Sequence, residues 1–343
     1  MDVQKVLSYS KTSFNHGAPV NYNYYLKRVQ KNQFKMIDKL KKLNVNQPFF
    51  GSILIGDYVD NFQYNAGFLK QQDSRLISND SLYLTGSIQK FMTGIRIAQL
   101  EEACYLSRKN LVKNYFPELS NDQVTLEDLL LHRSGMKQYE PGDAKSYEQC
   151  IESILQDTFI ESIYGQYEYN DGNYVLLSKV IEIVTGKSFK ENIIQHILQP
   201  LHMYQTYFFD DVQGYFVHGM TNAYGLLCPT LDEPLVHYMG AGNMYMTLND
   251  VQILCHAFVT GKILKQETMD RLIAPFEKYE QDYRYGFGVK KGYYRIRGVL
   301  NGIEVIAWFN DKKIVIVATN FIIMDDMKRS EKLVKYLFKN HKF

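Results

Sequence analysis

A seryl hydroxyl and a lysyl amine three residues apart, Ser87 and Lys90 in the run Leu84-Thr-Gly-Ser-Ile-Gln-Lys-Phe, are the groups in this chain best suited to covalent chemistry. On a helix that spacing brings both side chains to one face. A serine oxygen is a weak nucleophile until a neighbour takes its proton, and an adjacent amine can do that. The same spacing recurs at Ser8–Lys11 and Ser134–Lys137, so the surroundings have to discriminate. Ser8 lies in a polar N-terminal stretch without apolar periodicity. Ser134 sits in His132-Arg-Ser-Gly-Met, which reads as a helix end closed by Gly135.

Ser87 has better supports. The β-prone run Ser81-Leu-Tyr-Leu-Thr precedes it, and Phe91, Ile95, Ile97 and Leu100 follow at helical spacing as far as Glu101-Glu102. Gly86 permits a sharp turn. Ser87 then falls in the first helical turn, where free N–H groups and the helix dipole favour an anionic oxygen.

Around this junction, Phe49 to Ile55 and Asp60 to Phe68 read as a strand pair. Tyr285–Val289, Tyr293–Arg297, Gly302–Phe309 and Lys313–Asn320 read as consecutive antiparallel strands, with an Asn310-Asp311 turn. Helices are expected at Gln33–Leu43, Leu126–Leu131, Tyr174–Val184 and Met327–Phe338. Residues 1–30 read as a polar arm, and 31–343 as one α/β catalytic domain. Its antiparallel sheet is built from both ends, about 31–80 and 283–343, and flanked by helices. A helical insert spans about 82–272, and the cleft between sheet and insert is the natural place for a site.

Composition excludes several classes. Lys plus Arg (39) nearly balance Asp plus Glu (37), and no basic stripe is present, which argues against nucleic acid as a partner. The 27 tyrosines and 20 phenylalanines are read first as packing and second as a sugar-stacking cleft. Cys104, Cys150, Cys228 and Cys255 are far apart and read as free thiols. No metal-ligand spacing is visible among the eight histidines, and His132 reads as structural. No cofactor is expected. No stretch is apolar for long enough to span a membrane, and no basic-then-apolar leader opens the sequence as given, so a cytoplasmic location stays open.

Four segments, in order, carry a family resemblance. Leu84-Thr-Gly-Ser-Ile-Gln-Lys-Phe resembles the nucleophile motif of the serine β-lactamase and penicillin-binding-protein superfamily. Val124-Thr-Leu-Glu-Asp-Leu-Leu-Leu-His-Arg-Ser-Gly-Met is similar to its "DLLxHxSGL" segment. Tyr169-Asn-Asp-Gly-Asn-Tyr resembles its Tyr-x-Asn motif, and Gly240-Ala-Gly-Asn-Met-Tyr-Met-Thr its "GAGGxxST" segment. Within the superfamily the last two are most similar to FmtA-type proteins, which are associated with autolysis and methicillin resistance and remove D-alanine from teichoic acids as esterases.

The resemblance implies an α/β sheet domain with an all-helical insert. It makes Ser87 the acylated nucleophile, Lys90 its proton partner and Tyr169 a phenol shuttling a proton to the leaving group. Which of Lys90 and Tyr169 is the base stays open. Asp171 stands where most relatives have Asn. The third motif, Lys-Thr-Gly or His-x-Gly in relatives, aligns with Ile296-Arg297-Gly298, so Gly298 matches and Ile296 replaces the cation. The oxyanion hole would then be the N–H groups of Ser87 and Val299. Losing the cation removes a charge-assisted bond worth roughly 1.5–3 kcal/mol to a substrate carboxylate.

Arg295 and Arg297 alternate away from Ile296 and read as a solvated face, with Arg297 able to reach substrate only through a bulge or register shift. Asp171 favours a protonated Lys90 and attracts a cationic substrate; it also suits a helix N-cap ahead of Tyr174. Asn243 and Tyr245, beside Gly242, are expected to line the cleft. The function expected is acyl transfer on a cell-envelope polymer or small ester, most simply a teichoic-acid D-alanyl esterase at the envelope, with β-lactams as alternative acylating ligands. A DD-carboxypeptidase or weak β-lactamase is the rival enzyme, and a scaffold without turnover the rival class. Oligomeric state is not legible.

Overall fold

The computed structural model describes residues 49–343, apart from 71–73, 120, 141, 157–158, 224–225, 230–232, 278–279, 323–327 and 341–343. The expected arm over 1–30 and the helix at Gln33–Leu43 lie outside the described residues.

Strands β1 (Gly51–Gly56) and β2 (Asn61–Ala66) form the expected N-terminal pair. A short β3 (Tyr83–Leu84) leads through one tight turn, Gly86–Ile88, into α1 (Gln89–Glu102). Helices α2 (Leu126–Leu130), α3 (Tyr147–Gln156) and α4 (Asp171–Thr185) follow. Strands β4 (Thr206–Phe208) and β5 (Met244–Met246) come next, then α5 (Leu248–Val259). The C-terminal part supplies β6 (Gly288–Lys290), β7 (Tyr293–Leu300), β8 (Ile303–Phe309), β9 (Ile314–Thr319) and α6 (Arg329–Asn340).

The main sheet has the order β2-β1-β9-β8-β7-β6, antiparallel throughout, so strands from the two ends of the described region meet at β1 and β9. Ile53, Leu54 and Ile55 of β1 and the whole Ile-Val-Ile-Val-Ala-Thr run of β9 are buried. Such unbroken apolar runs belong to strands covered on both faces. Neighbours on β8 show how the cover is divided. Trp308 stacks on Tyr293 at 4.2 Å and meets Phe338 of α6 on one face. Phe309 meets Phe91 of α1 and Phe258 of α5 on the other. Each aromatic contact adds about 0.5–1.5 kcal/mol to the burial.

The insert carries a second, three-stranded sheet, β3-β5-β4, beside its helices. One expected strand is shorter than its sequence suggested. Pairing begins at Gly288, because Gly286 presses on the α1 backbone: a side-chain carbon there would lie 2.3 Å from the Lys90 carbonyl carbon. Tyr285 to Phe287 therefore bend around α1 and do not join the sheet. Because β6 pairs only with Tyr293–Arg295, the outer edge of β7 is open from Ile296 onward.

Candidate active site

Ser87 sits where three backbones converge. Thr85 is tied to β5, its N–H and its hydroxyl both donating to the Met244 carbonyl at 2.9 Å. Gly86 turns the chain with φ +51°. Behind it runs β7, and a side-chain carbon on Gly298 would lie 1.8 Å from the Thr85 carbonyl oxygen and 2.7 Å from the Ser87 nitrogen. Only glycine permits that approach. One on Gly86 would lie 3.1 Å from the Val299 nitrogen. The Ser87 and Val299 backbones thus lie close together where the turn crosses β7.

Lys90 points back along α1 beneath Ser87 and is almost fully buried, at 1% exposure. Its Nζ donates to Ser87 Oγ at 3.0 Å and to the Ala241 carbonyl at 2.8 Å, and lies 2.5 Å from Asp171 Oδ1. Burial opposes its charge, but the Asp171 carboxylate and the Tyr169 oxygen outweigh that and hold Lys90 above the usual lysine range. The Gly240-Ala-Gly242 segment is packed under this turn, with Thr93 donating to the Gly240 carbonyl at 2.7 Å.

The third contact of Ser87 arrives from far along the chain: Tyr169 Oη is 2.7 Å from Ser87 Oγ. Asn170, next to it, is the N-cap of α4, its Oδ1 accepting from the Gly172 N–H at 2.9 Å. This corrects the expectation of Asp171 as cap. Asp171 is the first helical residue, which leaves its carboxylate free to reach Lys90.

His132 fixes this segment. It is wholly buried, with its Nδ1 accepting from the Asn170 N–H at 3.2 Å and its ring 4.4 Å from that of Tyr169. Its Nε2 bonds Tyr283 Oη at 3.1 Å. Burial, with the Lys90 charge nearby, holds its pKa well below the ordinary histidine value, so the imidazole is neutral. Sequence reasoning took His132 as structural but did not connect it, or Tyr283, to the site. The signal for His132 was its place in the "DLLxHxSGL"-like segment, and for Tyr283 only the tyrosine excess.

A groove of about 660 Å³ opens over Ser87. Tyr167, Tyr169 and Asp171 border it on the helical side, and Arg295, Arg297 and Val299 on the β7 side. Ile296 is buried and offers no charge. The two arginines are not a merely solvated face, which corrects the sequence reading. Arg295 forms a two-point pair with Glu331 of α6 (2.5 and 2.8 Å), and Arg297 pairs with Glu304 of β8 at 2.6 Å.

Asn243 and Tyr245 do not line the groove, a second correction. Asn243 is fully buried and braces the start of α1, exchanging two hydrogen bonds with Gln89 at 2.8 and 2.9 Å. Tyr245 is held in β5 opposite Leu84 and Tyr207, its ring against Phe216. Ser134, the rival nucleophile, is buried and donates to Asn173 Oδ1 at 2.7 Å. Among the described residues no cluster suits a metal ion.

Residues 14–320 match the Beta-lactamase family. This chain belongs to that family. It is a serine hydrolase with the penicillin-binding-like fold. Teichoic acid D-alanine hydrolase of Staphylococcus aureus (strain MRSA252) is 34% identical over 306 residues, covering 86% of this chain and 76% of that protein. The crystal structure of FmtA from Staphylococcus aureus superposes with TM-score 0.82 at 30% identity, covering 92% of this chain and 89% of that one. A penicillin binding protein from Bacillus halodurans shares the fold at TM-score 0.71 and 20% identity, covering 85% of this Beta-lactamase-family chain and 96% of its own.

Proposed function

We propose that this protein is a serine esterase that removes D-alanyl groups from teichoic acid at the cell envelope, through an acyl-enzyme on Ser87. The observation that carries the reading is the carboxylate of Asp171, which borders the groove beside Lys90 where a D-alanyl ester brings a free ammonium. The opposite requirement, a free cation for a substrate carboxylate, is poorly met. Ile296 is apolar, and the Arg295 and Arg297 charges are already matched by Glu331 and Glu304.

In the proposed reaction Ser87 Oγ attacks the ester carbonyl while its proton passes to the Lys90/Tyr169 pair. The N–H groups of Ser87 and Val299 hold the oxyanion, each worth about 3 kcal/mol. Tyr169 protonates the departing alcohol, and water then releases D-alanine. An envelope location follows from where the polymer lies. Among the described residues no helix is long and apolar enough to cross a membrane.

A fluorophosphonate should leave a covalent adduct that intact-protein mass spectrometry detects on the wild type and no longer detects in Ser87→Ala. D-Alanyl esters should be cleaved, and a chromogenic cephalosporin poorly. Efficient cephalosporin hydrolysis with D-alanyl esters untouched would overturn the reading.

A further inference from the structure

We infer that the substrate's own ammonium switches this site on. By docking against Asp171 it displaces the Lys90 ammonium from that carboxylate, and Lys90 gives up its proton and becomes the base for Ser87. The inference rests on the D-alanyl esterase reading and adds a selection step to it.

The arrangement around Lys90 favours the wrong protonation state for attack. An ammonium has three donors; Lys90 donates to Ser87 Oγ at 3.0 Å and the Ala241 carbonyl at 2.8 Å, and its charge is matched by Asp171 Oδ1 at 2.5 Å. The cation is therefore held by its counter-charge, and it donates to the very oxygen whose proton it must accept. The other groups facing Lys90 do not relieve this. Tyr169 and Tyr174 turn ring faces toward it at 5.1 and 5.7 Å, which favours a cation, and His132 is neutral. Elsewhere on the groove, Asp282 is paired with Lys290. Asp171 is the acidic group that links Lys90 to the groove. Its Oδ1 is buried against Lys90, while the side chain as a whole is 29% exposed at the groove.

A second cation reaching that carboxylate repels the first. At about 4 Å and an effective dielectric near 20, two unit charges interact strongly enough to change proton affinity by about a thousandfold. Solvent in an open groove reduces this, and a shift on the order of tenfold to a hundredfold is expected.

The proton account closes. Docking sends one proton from Lys90 to water. The neutral amine takes the Ser87 hydroxyl proton as Oγ bonds to the carbonyl carbon. Collapse breaks the bond to the polyol oxygen, which takes its proton from Tyr169, and Tyr169 is replenished from Lys90. The D-alanyl group stays on Ser87 with its ammonium at Asp171, so the amine is still neutral when water attacks. Water's proton follows the same route, Ser87 recovers its own, and D-alanine leaves. Lys90 then regains a proton from solvent. An ester lacking the amino group meets a site that rests in the ammonium form.

The test compares D-alanyl and propionyl esters of one alcohol with the full chain. Turnover is measured from pH 5 to 7.5, where the substrate ammonium is charged, and each rate is divided by that ester's second-order rate constant for hydrolysis by hydroxide. For the wild type the propionyl rate should climb tenfold per pH unit throughout. The D-alanyl rate should climb with the same slope but exceed it by on the order of tenfold or more at every pH in this range. In Asp171→Asn the two profiles should coincide and the propionyl ester should gain rate, because Lys90 then loses its counter-charge. Superimposed wild-type profiles would overturn the switch while leaving the esterase reading intact. Cleavage of neither ester would overturn both. The wild-type comparison stands even where the variant does not fold.

Discussion

Two cation–carboxylate pairs border the same groove, and they are built inside out relative to each other. In Lys90–Asp171 the cation is buried (1% exposed) and the carboxylate reaches the groove (29%). In Arg297–Glu304 the carboxylate is buried (5%) and the cation reaches the groove (30%). Pairing alone therefore says little about role. A buried lysine can shed its proton when its partner is drawn away, whereas an arginine cannot. The helical wall holds a pair able to change state, and the sheet wall a pair that stays charged.

The largest effect should come from breaking the first pair at its buried end. Lys90→Met is expected to lower ester hydrolysis by about a thousandfold, read as kcat, and to cost about 1–2 kcal/mol of folding stability. Removing the lysine alone leaves the buried Asp171 Oδ1 without its counter-charge, and the exposure of the rest of that side chain at the groove limits the cost. The pair also carries a pH signature. Because Lys90 is held above its usual value of 10.5 when folded, its stabilisation is complete below that pH and is lost as pH rises above it. Denaturation of Lys90→Met between pH 9 and 11 should lack that part of the alkaline loss.

The second pair should respond the other way round. Arg297→Ala strands the buried Glu304 carboxylate, and a cost of about 3 kcal/mol is expected in urea denaturation at pH 7. The deficit should shrink toward pH 5, because an unpaired buried carboxyl binds its proton more readily than the unfolded chain does. An equal deficit at both pH values would mean that Arg297 matters for packing and not for charge.

Acid should disturb the helical wall through His132. The imidazole is held neutral when folded and is free to protonate when unfolded, so nothing is lost above pH 6.5. Below it, each pH unit should cost about 1.4 kcal/mol until the folded group itself titrates. His132→Asn should be less stable at pH 7.5, and its Tm should fall less between pH 6.5 and 5 than that of the wild type.

What could be read from the sequence divides along the same walls. Ser87 and Lys90 lie three residues apart where a tight turn runs into α1, so their spacing placed them on one face. Tyr169 and Asp171 are distant in sequence and were found through the resemblance of a short motif, as was the register that sets Gly298 behind Ser87. The central strands were legible because burial on both faces demands continuous apolar runs. Asn243 and Tyr245 were misplaced because proximity to Gly242 says nothing about direction: Gln89 claims one, and the pairing of β5 the other. Ion pairing of the arginines depends on Glu331 and Glu304, which only the folded sheet and α6 bring near. Likewise, the role of His132 arises from Tyr169 and Tyr174 of one segment and Tyr283 of another, far along the chain.

Glu304→Gln tests the sheet wall most gently. The isosteric amide keeps a hydrogen-bond acceptor for Arg297 but withdraws the matching charge, and because the guanidinium still reaches water, the stability cost should stay below about 1 kcal/mol. The gain is an unmatched cation at the groove, one residue from where relatives carry theirs. Acylation by a carboxylate-bearing β-lactam, followed by intact-protein mass spectrometry, should then rise by up to about tenfold. D-Alanyl ester turnover should hold or fall slightly, since a nearby positive charge opposes the ammonium. If acylation is unchanged, Arg297 cannot reach the substrate carboxylate even when its partner is neutral. The loss of the third-motif cation at Ile296 is then not compensated from the neighbouring positions on β7.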